Sequence, residues 1–277
     1  METLQFEDKW LKQLEAFWVA SGDALQTLPI YLKSENYLKD SHVLALENEK
    51  IVGSAFLMQF DRHYVILRYL QDHKDCISIL LEKLKEYACA HGIKKLCCWL
   101  APCEEDTRKL LLENNFSYEG KYYRMSLHIS HSFSMPSNVR ALAPPELNPV
   151  IQIIIEAFDD AHERELVERT LQDALGNKDS VFLGCFEGAL LCGCVLLLLY
   201  PNDSTKAYIP IIAVKKELQG KGYGRKLIEG AKAWASANGV SNISLSVRAD
   251  NTRAVALYTR VGFEKVEEVE IYFVQCL

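Results

Sequence analysis

Apolar positions in the second half of the chain recur with two spacings, and each predicts a kind of element. Over residues 224–238, Leu227, Ile228, Ala231 and Trp234 fall on one face of a 3.6-residue repeat, which predicts a helix that Asn238 and Gly239 end. Residues 149–158, with Ile151, Ile154 and Ile155 on one side, predict a shorter helix, residues 163–174 a second, and residues 252–260 another that stops at Gly262. Apolar runs bounded by turn residues predict strands at 180–186, 190–200, 208–214, 243–247 and 269–274. Glu187 and Gly188 supply a tight turn between the first two. Hairpin strands combined with crossover helices predict an α+β fold with a mixed, mostly antiparallel central sheet flanked by helices.

The first half follows the same plan. Gly92 and Gly239 both end helical patterns, and Phe116 and Phe263 both follow a predicted helix; each pair is 147 positions apart. Between these anchors, residues 77–91 read as a helix, 95–100 as a strand and 106–113 as a helix, while 42–47 and 51–60 repeat the hairpin around Asn48. A chain of 277 residues exceeds one typical domain of roughly 100–200. Pro136, Pro144 and Pro145 interrupt the pattern with at most one short strand between them, so the expected division is 1–131 and 132–277.

Composition narrows the function classes. Half the residues are apolar and a quarter charged, as in a folded globular chain. A net charge of −6 without a Lys/Arg block speaks against a nucleic-acid or anionic-membrane partner. The first ten residues lack a basic and apolar leader, and the longest apolar run, residues 189–200, is shorter than the roughly 20 residues of a membrane helix; a cytoplasmic protein is expected. Nine cysteines are an odd count, and Cys97-Cys98 and Cys192-x-Cys194 lack two-residue ligand spacing, so reduced core thiols are expected rather than a metal.

The candidate chemistry lies in Gln219-Gly220-Lys221-Gly222-Tyr223-Gly224-Arg225, which follows a strand and opens a helix. Backbone N–H groups at such a junction converge on an anion, glycines clear its approach, and Lys221 and Arg225 add charge. The dinucleotide fingerprint fails at its third glycine, and a P-loop fails because Lys221 is followed by Gly222. The segment resembles the acyl-CoA loop of the Gcn5-related N-acetyltransferase (GNAT) superfamily at Gln219, Gly222 and Gly224. Asn251, Ala254, Leu257, Tyr258, Gly262 and Phe263 match the same superfamily's downstream signature. The resemblance covers the second half directly and the first through the repeat, which makes the chain two tandem GNAT-like domains.

That resemblance implies acetyl-CoA as cosubstrate, no metal, and transfer of the acetyl group to a primary amine within a ternary complex. It implies that Ala213 and Val214 hold the pantetheine arm, that an N–H near Val214 polarises the thioester carbonyl, that Asn251 contacts the arm, and that Tyr258 protonates the departing thiolate. The general base carried by some relatives is replaced by Ser246, so Asp160, His162 and Glu163 stand as acceptor-side candidates, although acidic residues also favour helix starts. In the first half the loop positions become Asp72, Asp75 and Ile77, Asn251 becomes Glu104 and Tyr258 becomes Leu111, which implies a degenerate domain without acyl-CoA. The acceptor stays open among amino acid, polyamine, antibiotic amine and protein lysine. A CoA-binding scaffold with a closed acceptor pocket is the competing reading.

Overall fold

The computed structural model describes residues 2–20, 28, 32–34, 36–60, 63–70, 74–102, 104–143, 146–157, 174, 179–200 and 203–276. In chain order the strands are β1 (Glu2–Gln5), β2 (Tyr37–Glu47), β3 (Lys50–Phe60), β4 (His63–Leu70), β5 (Lys95–Leu100), β6 (Ser117–His128), β7 (Val139–Ala141), β8 (Ser180–Glu187), β9 (Leu190–Tyr200), β10 (Asp203–Val214), β11 (Asn242–Arg248) and β12 (Glu264–Gln275). The helices are α1 (Leu11–Ala20), α2 (Lys74–Ala90), α3 (Glu105–Glu113), α4 (Leu147–Ala157), α5 (Tyr223–Ala237) and α6 (Thr252–Arg260). Two compact units result: Met1–Gly120 together with Val269–Leu277, and Lys121–Glu268.

The units share one topology. In the first, β1 to β4 pair antiparallel in sequence, β4 and β5 pair parallel, and β5 pairs antiparallel with the end of β12. The second runs β7, β8, β9 and β10 antiparallel, then β10 and β11 parallel, then β11 antiparallel with β6. Elements recur at the offset read from the sequence: α3 and α6, and β6 and β12, start and stop at equivalent positions. Gly92 and Gly239 both turn left-handed (φ 67° and 75°), as do Asn115 and Gly262 (φ 64° and 104°), so the helix ends are built alike. Phe116 and Phe263, 3% and 2% exposed, are equivalent core residues.

Each sheet is buried on both faces. In the second unit, α5 and α6 cover a core that includes Leu183, Leu197, Leu227, Ile228, Leu245 and Phe263, while α4 covers Phe182, Leu196, Ile211 and Ala213 on the other face. In the first unit α2 packs Leu80, Leu81 and Leu84 onto Leu96, Cys98 and Tyr272, and α1 packs Leu14 and Trp18 onto Leu44 and Phe56. Cys192 and Cys194 are fully buried in β9. No helix among the described residues is long and apolar enough to cross a membrane.

The sixth strand of each unit comes from the other half of the sequence. Beyond Gly120, β6 pairs with β11 from Arg248↔Tyr122 to Asn242↔His128. Beyond Val269, β12 pairs with β5 from Glu270↔Leu100 to Gln275↔Lys95. The Arg108–Glu270 ion pair (2.9 Å) and the contact of Tyr118 with Tyr272 (centroids 5.4 Å) fasten that final stretch. Tyr272→Ala is expected to cost the first unit about 3 kcal/mol, as truncation of a buried aromatic does. Hydrogen exchange should then accelerate at β5 while β9 stays protected.

Candidate active site

The site begins with an extra residue in β10. Tyr208 lies opposite Leu198 but Ile211 opposite Leu196, so Ile209 and Pro210 together face Leu197. Proline has no N–H to give to a ladder, and a bulge tolerates it. The insertion reverses the faces of the strand. Ala207 and Ile209 point into the core under α5 and α6, whereas Ile211 and Ala213 point into the core under α4. A bulge also bends its strand, and the parallel pairing of β10 with β11 ends at Ile209↔Leu245. Past that pair, β10 keeps β9 as far as Val214 and β11 keeps β6 as far as Arg248, leaving an opening between them.

Backbone alternation decides what the opening contains. The Lys215 N–H donates to the Cys192 carbonyl at 3.0 Å, so Lys215 and Ala213 turn their peptide groups toward β9. Ile212 and Val214 then turn theirs toward the opening. The Gln219 side-chain amide donates to the Val214 carbonyl at 3.3 Å, on that same edge. Gly193 opposite Val214 allows the close approach of β9, because a Cβ there would stand 2.5 Å from the Ala213 carbonyl oxygen.

At the mouth of the opening, a short 3-10 turn at Lys216–Leu218 leads through Gln219 and Gly220 to Gly222, the residue before α5. Gly222 has φ 89° with open space where a Cβ would be, a conformation that glycine adopts without strain. The first turn of α5 carries neither a side-chain cap nor an acidic residue, and Lys221 and Arg225 are exposed beside it. Tyr223 turns inward: its hydroxyl donates to Glu187 at 2.7 Å, and that carboxylate pushes the phenol up to about 12. Its side chain therefore anchors the helix. At Gly224 the two helices nearly touch, a Cβ there being 3.1 Å from Leu257.

The short helix α6 contributes three groups. Asn251 caps it by accepting the Ala254 N–H at 3.1 Å, so the expected contact to the cofactor's arm has a structural task as well. Tyr258 packs half-buried in the α5–α6 core with its ring 5.8 Å from Phe263; burial, aided by Tyr208, pushes its phenol up to about 12. Arg253, absent from the expected set, brings a guanidinium nitrogen to 3.7 Å from where a Gly220 Cβ would stand. Its signal in the sequence was a cation in a first helical turn, the position that favours acids.

Asp160, His162, Glu163 and Asp72 lie outside the described residues. On the α4 face, at the end of β10, a cavity of about 370 Å³ is lined by Pro149, Gln152, Ile153, Glu156, Leu191, Lys215 and Glu217. Ser246 is exposed on β11. The first unit differs at the matching positions: α2 already starts at Lys74, so Asp75 is helical, and Ile77 and Leu111 are buried at 4% and 0%. Gly193→Ala is expected to destabilise the second unit by about 1–3 kcal/mol, as overpacking against fixed atoms does. Urea unfolding, with faster amide exchange at Ala213 and Lys215, would show it.

Comparison with known proteins agrees with this geometry. Residues 147–263 match the model of the acetyltransferase (GNAT) family. Over 81 residues the chain is 41% identical to a mycothiol acetyltransferase of Jonesia denitrificans, covering 29% of this chain and 26% of that protein. It is 24% identical over 208 residues to a mycothiol acetyltransferase of Renibacterium salmoninarum, covering 68% and 61%. The matches thus span less than two thirds of either relative. A GCN5-related N-acetyltransferase from Sphaerobacter thermophilus superposes with a TM-score of 0.70 at 14% identity, covering 99% of this chain and 95% of that one. A tandem GNAT protein from the clavulanic acid biosynthesis pathway gives 0.61 at 12%, covering 100% and 98%. Residues 147–263 thus resemble the acetyltransferase (GNAT) family, in a chain whose fold is that of tandem GNAT proteins.

Proposed function

We propose that the second unit is an acetyl-CoA-dependent N-acetyltransferase acting on a primary amine. The observation that carries this reading is the opening beyond Ile209↔Leu245, whose edge offers the peptide groups of Ile212 and Val214. An extended amide-bearing arm can pair with such an edge as a strand does, and one of the two N–H groups can polarise a thioester carbonyl as negative charge develops on it. The glycine-capped start of α5, with Lys221 and Arg225 beside it, suits the pyrophosphate at the outer end of that arm.

The ammonium first gives one proton to water; attack by the neutral amine nitrogen then forms the new C–N bond and breaks the C–S bond, leaving charge on sulfur, and the surplus proton on the new amide nitrogen passes to solvent. Tyr258 is the acid assigned to that sulfur. With its phenol near 12 and a thiol near 8.5, complete proton transfer would run uphill by about 5 kcal/mol, so Tyr258 acts chiefly by donating a hydrogen bond to the thiolate. The acceptor enters from the α4 face, opposite α5 and α6, where Glu156 and Glu217 favour a cationic amine. Asp160, His162 and Glu163 follow α4 in the chain and remain the candidates for holding that amine. The first unit, which buries side chains at the positions of Gly224 and Tyr258, shapes the fold without binding acyl-CoA.

Calorimetric titration with acetyl-CoA is expected to give one site, weakened at least tenfold in a Lys221→Glu, Arg225→Glu variant; absence of binding to folded wild type would sink the reading. In an amine screen read by thiol release, Tyr258→Phe should lower kcat by about ten- to a hundredfold with little change in KM for acetyl-CoA. Because the phenol keeps its proton well above neutrality, wild type and Tyr258→Phe should show pH profiles of the same shape below pH ~9. A kcat unchanged by the substitution would remove Tyr258 from the mechanism.

A further inference from the structure

The arginines whose side chains are described separate into two groups. Arg108, Arg124, Arg140 and Arg248 each bind a carboxylate, at 2.9, 2.7, 2.6 and 2.7 Å. Arg253, like Arg225 beside the loop and Arg260 in the last turn of α6 where the macrodipole favours a cation, has neither a hydrogen bond nor an ion pair among the described residues. It is exposed in the first turn of α6, a nine-residue helix, where the macrodipole disfavours a cation and no acid is present to offset it. Asp250, two residues before the helix, is already held by both ends of the Arg248 guanidinium, at 3.0 and 2.7 Å. The first turn of α5 likewise lacks an acid. Two helix starts and the cations Lys221, Arg225 and Arg253 thus surround the glycine loop, an arrangement that is self-repulsive until a polyanion is bound.

The loop's backbone amides are enough for a pyrophosphate. Arg253 stands apart from them, on a different helix and on the Gly220 flank of the loop, and its planar fork matches the oxygens of a phosphate monoester. Resting on the acyl-CoA reading above, we propose that Arg253 forms a side-chain subsite for the 3′-phosphate of the donor, so that the chain distinguishes CoA from dephospho-CoA.

Calorimetric titrations of the full chain with CoA and with dephospho-CoA, at one ionic strength, test this. Wild type should bind CoA about tenfold more tightly than dephospho-CoA, Arg253→Gln should bring that ratio close to one, and Arg253→Lys should keep part of it. Equal weakening of both ligands in Arg253→Gln, or a ratio that stays as in wild type, would overturn the assignment of Arg253 alone. A folded wild type that binds neither ligand would overturn the acyl-CoA reading itself.

Discussion

One inserted residue in β10 governs the second unit. A strand with an even alternation would keep Ala207, Ile209, Ile211 and Ala213 on one face and continue its pairing with β11. The bulge at Ile209 and Pro210 hands the last two to the opposite core and bends the strand away. Every later feature depends on this. The peptide groups of Ile212 and Val214 face the opening, Gly193 lets the displaced stretch lie against β9, and the Gln219 amide donates to the Val214 carbonyl.

Electrostatics follows the same division between structure and ligand. Away from the glycine loop, four arginines are held by carboxylates, as at Arg140–Glu146 and Arg124–Glu267. Around the loop the cations are left for something else, and the helix starts there forgo the acids that would stabilise them. Tyr223 and Tyr258 show how environment assigns roles to one residue type. Both phenols are pushed up to about 12, the first by a carboxylate that makes it a tether, the second by burial between α5 and α6.

Much of this was legible in the sequence, because periodicity and turn chemistry are local. The bounds of α6, the turn at Gly188 and the repeat between Gly92 and Gly239 follow from spacing alone. The glycine loop and Tyr258 were legible through family resemblance. The bulge was not, since residues 208–214 read as one strand through Pro210 and the effect of that proline is set by the register with β9. The long strand β6 was also missed: its apolar positions are diluted by tyrosines and charges that only pairing with β11 explains. Arg253 escaped because its significance is a distance to Gly220, across 33 positions of chain.

The exchanged sixth strand has a consequence for synthesis. The first unit is composed almost wholly of the first 120 residues, yet its β5 edge is closed by the last nine. On the ribosome those nine emerge after every residue of the second unit. The amino-terminal unit must therefore wait, with one sheet edge unpaired, until the whole of the second unit has been synthesised. Of two similar halves, the one that begins the sequence is thus the later to receive all its strands.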